Sequence, residues 1–246
     1  MPAARYTIAG TVLTMPVRVR KADVHTAMFS VPADAAQRLI DYSGLQVCRF
    51  RPGRAVVTLM LARYTDGDLG RYNEFGTCVM VNPPGSNAGG LRTLAGAAAF
   101  IHHLPVDQSF TLEAGRAIWG FPKIMADFTV RDGGGHGAFG FSVSEGGSLI
   151  ASMDFSRGLP IPSLRSDPAV LKTYAFADGT TREVPWEMRN SRVRLRPGGA
   201  RLRLGDHPYA RELAALGLPK PPMVSGSVGN VEMTFGDAAV IAHTPR

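Results

Sequence analysis

Short apolar runs broken by Gly, Pro, Asn and Asp dominate this chain. Runs of that length with turn residues between them predict strands rather than long helices. Residues 6–29 read as two extended segments divided near Pro16, the second partly alternating from residue 17. Residues 55–62, apolar but for Thr58, are continuous enough for a strand covered on both faces, and with the run before Arg51-Pro-Gly-Arg54 they suggest a hairpin. Another strand is expected over 77–81. The Ala-rich stretch 94–106 is ambiguous between buried helix and strand. From Asp127 onward the pattern is a β meander over 127–130, 137–143 and 148–155, with turns at Gly133-Gly134-Gly135 and Gly146-Gly147. Strands over 173–176 and 181–186 flank an Asp178-Gly179 turn. An Arg-rich hairpin is expected around Pro197-Gly198-Gly199, and the last strands run over 223–242.

Three short helices interrupt this pattern. Residues 32–42 carry a proline in the first turn and Gly44 just past the end. A second helix, capped by Asp107 or Ser109, runs through Ala114. Phe121 precedes a proline and is biased to extended geometry, so this helix ends before Lys123. A third spans 208–216 and closes at Gly217. The fold class is therefore α+β, mainly β. Without a linker, repeat or shift in composition, residues 1–246 read as one domain.

Composition narrows the function. With 246 residues and 45% hydrophobic content the chain can bury a substantial core. The mildly apolar N-terminus reads as a strand rather than a signal peptide, and no run is long enough to span a membrane. Cys48 and Cys78 fall in predicted strands without metal-ligand spacing, which suggests a reduced, cytoplasmic protein. His102 and His103, adjacent in a strand, would face opposite sides, and neither has a second His at metal-ligand spacing, so no metal site is expected. The net charge of +7 raises nucleic acid as a partner. However, the basic residues alternate with apolar ones as in half-buried strands, and attraction of small anions serves the charge equally well. No nucleic-acid or membrane partner is expected.

Of the 27 Lys and Arg residues only four are lysines, Lys21, Lys123, Lys172 and Lys220. Lys123 lies in the most apolar setting of these, among Trp119, Gly120, Phe121, Pro122, Ile124 and Met125. Such a lysine either snorkels to solvent or is desolvated. A desolvated lysine can lose its proton and act as a nucleophilic amine, which arginine cannot do.

Gly115-Arg116-Ala117-Ile118-Trp119-Gly120-Phe121-Pro122-Lys123 resembles the Gly-Arg-Glu-x-x-x-aromatic-Pro-Lys signature of the acetoacetate decarboxylase family. Leu69-Gly70-Arg71-Tyr72-Asn73-Glu74 is similar to its Leu-Gly-x-Tyr-x-Glu segment, and residues 197–204 to its Gly-Pro-x-Arg-Leu-x-Leu segment. The resemblance implies a conical antiparallel β-sheet with peripheral short helices, a homo-oligomer, and no cofactor. It makes Lys123 the Schiff-base lysine and Glu74 an active-site acid. Arg20 (with a register open by a residue or two), Arg116, Trp119, Phe121 and Ile124 become candidate substrate-binding residues.

Three departures from the family stand out. Ile124 replaces a second lysine, Ala117 replaces a glutamate, and the position near Leu59 that carries another acid is apolar. Desolvation by Trp119, Phe121, Ile124 and Met125 is then expected to activate the lysine. Three functions remain open: a carboxy-lyase acting on a β-keto acid, acetoacetate or bulkier; an imine-dependent aldolase, dehydratase or cyclase acting on a 2-oxo acid; and a non-catalytic binder of a small carbonyl or apolar ligand.

Overall fold

The computed structural model describes residues 3–86, 89–132, 138–162, 169–189 and 192–243. In chain order its strands are β1 (Arg5–Ile8), β2 (Thr11–Thr14), β3 (Val17–Pro32), β4 (Arg54–Gly67), β5 (Tyr72–Val81), β6 (Ala98–Val106) and β7 (Lys123–Met125). They continue with β8 (Asp127–Asp132), β9 (Phe139–Glu145), β10 (Ser148–Phe155), β11 (Leu159–Ile161), β12 (Ala169–Ala177) and β13 (Thr180–Arg189). The last are β14 (Arg192–Pro197), β15 (Ala200–Leu204), β16 (Val224–Phe235) and β17 (Ala239–His243). Helices α1 (Ala33–Ile40), α2 (Ser109–Ala114) and α3 (Pro208–Ala215) are short.

The long strands form one circuit, β16-β3-β4-β5-β6-β12-β13, which the β13–β16 pairing closes. The expected antiparallel sheet is thus a seven-stranded closed barrel with extra strands attached. Alternation along each strand gives it two faces. In β4, Leu59 and Leu61 pack outward with Phe29, Phe75 and Phe141. Thr58, Met60 and Tyr64 point inward. The outward residues meet a four-stranded sheet, β15-β10-β9-β8, and helices α1 and α3. Burial on both faces is why residues 55–62 read as an apolar run broken only by Thr58.

Register shifts decide which side chains enter the barrel. The β3–β4 ladder slips on either side of Lys21, so Val19 and Val24 both face inward while Arg20 and Lys21 are exposed. A bulge changes the parity of its strand in this way. A second slip, where β5 meets β6, leaves His102 unpaired between Ile101 and His103. The two histidines therefore do not face opposite sides. Both Nε2 atoms reach Glu212 Oε2 on α3, at 2.8 Å and 2.6 Å, and Tyr42 Oη lies 2.8 Å from His102 Nδ1.

Other local expectations change too. Residues 45–50 form no strand, only a bridge from Val47 to Val81, so the turn at Arg51–Arg54 is not a hairpin and Cys48 lies outside a strand. The Pro197–Gly199 turn joins two sheets, because β14 pairs with β11 and β16 while β15 pairs with β10. The ambiguous stretch resolves as a short 3-10 helix, Leu91–Gly96, followed by β6. The glycine turn at 133–135 lies outside the described residues. Among the described residues no helix is long and apolar enough to cross a membrane.

Candidate active site

Lys123 opens β7, which lies parallel to the end of β6. The chain reaches it through α2, one turn of π-helix at Gly115–Trp119, and Gly120 in the left-handed region at φ 72°. Gln108 caps α2 in place of the expected Asp107 or Ser109: its Oε1 accepts from the Thr111 amide, and its Nε2 donates to Leu69 O. Asp107 instead takes two hydrogen bonds from Asn73, one residue before Glu74. These contacts tie α2, the start of β5 and the end of β6 into one frame.

That frame brings Lys123 and Glu74 together. Lys123 Nζ sits 2.8 Å from Glu74 Oε2, with side chains only 3% and 6% exposed. Nζ also donates to Thr111 Oγ1 at 2.9 Å and lies 5.1 Å from the Tyr72 ring. Tyr64 Oη donates to Glu74 Oε1 at 2.9 Å, and its ring stacks on Tyr72. Burial, then the Glu74 charge, holds both tyrosines far above the ordinary phenol range, so they remain donors. Cys78 lines the same cavity, and burial pushes its thiol up to about 12.

The glycine of the lysine stretch has a steric reason. A Cβ on Gly115 would stand 2.6 Å from Lys123 Cδ and Cε, inside contact distance. Arg116 is exposed and donates from Nε to the Lys123 carbonyl at 2.8 Å, anchoring the backbone from outside rather than entering the cavity. Trp119 and Phe121 do line it. Ile124 does not: strand alternation turns it away from the side Lys123 faces, and Met125 is 44% exposed. Arg20 also lies outside, on the surface, paired with Asp66 and Asp68. Of residues 20–22, only Ala22 packs into the barrel core.

The cavity has a volume of about 280 Å³. Among its described lining residues Lys123 and Glu74 are the only Lys, Arg, Asp or Glu. Most of the remainder is hydrocarbon or aromatic, including Met60, Met80, Met188, Met233, Trp186 and Phe235. Tyr64, Tyr72 and Thr111 were not singled out from sequence. Tyr72 had a legible signal, since it holds the tyrosine position of the Leu69–Glu74 motif, and Tyr64 pairs with it across the β4–β5 ladder. Nothing in the sequence marks Thr111.

Over residues 1–243 the chain matches the family profile described as acetoacetate decarboxylase (ADC). The chain belongs to the acetoacetate decarboxylase family. Solved structures share the fold at low identity. The enduracididine biosynthesis enzyme MppR complexed with pyruvate aligns with TM-score 0.68 and 17% identity, covering 99% of both chains. Acetoacetate decarboxylase from Legionella pneumophila aligns with TM-score 0.67 and 19% identity, over 99% of this chain and 93% of that one. An acetoacetate decarboxylase-like enzyme from Sphingomonas wittichii RW1 gives 0.62 and 16%, over 93% and 94%. No curated protein matches the chain.

Proposed function

We propose that this chain is a lysine Schiff-base enzyme that decarboxylates a β-keto acid. The observation that carries the reading is the direct contact of Lys123 with Glu74 in a cavity whose other described walls hold no Lys, Arg, Asp or Glu. Separate charges are costly in a dry cavity. Passing one proton from Nζ to Glu74 Oε2 leaves both groups neutral, and the amine is then a nucleophile. It adds to the substrate ketone, and the carbinolamine loses water with the proton Glu74 returns, giving a cationic imine. The C–C bond to the carboxylate breaks, carbon dioxide leaves, and the electron pair enters an enamine. The enamine carbon takes a proton, in net from solvent; water then releases the ketone and restores the amine.

The walls favour this outcome over the 2-oxo acid chemistry. A carboxylate that persists through turnover must be balanced, and beyond Lys123 the described walls offer it no cation. In decarboxylation the carboxylate charge disperses as the bond breaks, so an apolar setting helps the reaction. Imine-dependent condensation on a 2-oxo acid is the second reading, supported by the fold shared with MppR, whose structure carries pyruvate. Assaying carbon dioxide release from 3-oxo acids beside aldehyde-dependent consumption of pyruvate separates the two. Carbon dioxide release that vanishes in Lys123→Arg supports decarboxylation, whereas pyruvate consumption without it supports condensation.

A further inference from the structure

Beyond the Lys123–Glu74 pair the cavity wall is built largely of aromatic, aliphatic and methionine side chains. Trp186 and Phe235 stack at 5.5 Å and 10°, and Trp119 packs on the same Phe235 at 5.8 Å. Both indole N–H groups are spent on the protein, Trp119 on Gly236 O at 2.9 Å and Trp186 on Thr173 Oγ1 at 2.8 Å. The aromatic part of the wall therefore offers a ligand carbon rather than donors. Met60, Met188 and Met233 add flexible, polarisable surface that adjusts to irregular apolar groups.

Acetoacetate has only a methyl group to place against this wall. It would leave much of the 280 Å³ without contacts, forfeiting dispersion and apolar burial. We infer that the substrate is a 3-oxo acid whose acyl substituent is a long or aromatic hydrocarbon group. That group seats against Met60, Met188, Met233, Trp119, Trp186 and Phe235, and acetoacetate is a poor substrate. The inference rests on the imine reading for where the carbonyl sits; the hydrocarbon site itself does not need it.

The chain has two tryptophans, and both line the cavity, so intrinsic fluorescence reports its occupancy directly. Titrating the wild-type protein with acetone, 2-pentanone and 2-heptanone, the ketone products of such acids, should show affinity rising about fourfold per added methylene. The kcat/KM of the matching 3-oxo acids should rise in the same order. Ala99→Leu adds bulk to the wall and should weaken 2-heptanone binding at least tenfold; if that variant fails to fold, the wild-type series alone decides. A flat or falling ketone series, with acetoacetate trapped on Lys123 by borohydride, would overturn the substrate class and leave the imine standing. A steep series with no adduct on Lys123 from any 3-oxo acid would overturn the 3-oxo acid assignment together with the imine.

Discussion

Lys123 Nζ and Glu74 Oε2 are 2.8 Å apart on strands that flank β6, and both side chains are nearly sealed from solvent. Removing one member of a buried pair strands the other, at a cost of about 3–5 kcal/mol. Glu74→Gln and Lys123→Met should each destabilise the fold by about that amount. The double variant should recover most of the loss, because no buried charge is left unpaired. Denaturant unfolding of the four proteins checks this; additive losses would mean the two groups do not share a proton or a charge.

Gly115→Ala should impair the lysine before it impairs the fold. The added methyl falls 2.6 Å from two carbons of the Lys123 stem, which must swing away from Glu74 and Thr111. Misplacing a reacting group by about 1 Å can cost about a hundredfold in rate. The expected result is a loss of that order in imine formation with a melting temperature within a few degrees of wild type. Activity close to wild type would show that the stem relocates without leaving the pair.

Arg116 holds the Lys123 carbonyl from outside the cavity. Arg116→Ala should lower kcat about tenfold and leave KM within about twofold, since uniform substrate binding is untouched. A raised KM with unchanged kcat would return this arginine to substrate binding.

His25 gives the fold an acid-sensitive component. Its ring stacks on Phe139 at 3.7 Å, its Nδ1 has no hydrogen-bond partner among the described residues, and burial pushes it from the ordinary 6.5 down to about 4. Below pH 6.5 the unfolded chain takes up a proton that the folded chain refuses. Stability is therefore whole above about 6.5 and falls as pH drops towards about 4, by about 3 kcal/mol in total. His102, also lowered to about 4 with burial as the main cause, acts in the same direction. His25→Phe keeps the stack and removes one titration, so unfolding between pH 7 and 4.5 should become less pH-dependent. An unchanged slope would assign the acid sensitivity elsewhere.

Much of the barrel was legible because its strands are covered on both faces or alternate cleanly, as residues 55–62 and 77–81 do. What escaped was register. The slips around Lys21 and at His102 each reverse the parity of a strand, and no residue type in the sequence announces them. Hence the two histidines looked divergent, and the family resemblance that made Arg20 a candidate could not tell that it stays on the surface. Lys123 and Glu74 stood out by their motifs. The surroundings of the lysine were misread, because Ile124 lies on the opposite side of its strand and Met125, though on the same side as Lys123, is exposed outside the cavity. Desolvation comes instead from Trp119, Phe121 and the far barrel wall, and it acts on a pair rather than on a lone amine.

The most direct measurement is borohydride reduction in the presence of a 3-oxo acid, followed by peptide mapping. The account predicts a stable secondary amine carrying the substrate-derived mass on Lys123, absent in Lys123→Arg and slowed in Glu74→Gln. Adducts confined to Lys21, Lys172 or Lys220, or none with any 3-oxo acid while the protein is folded, would contradict it.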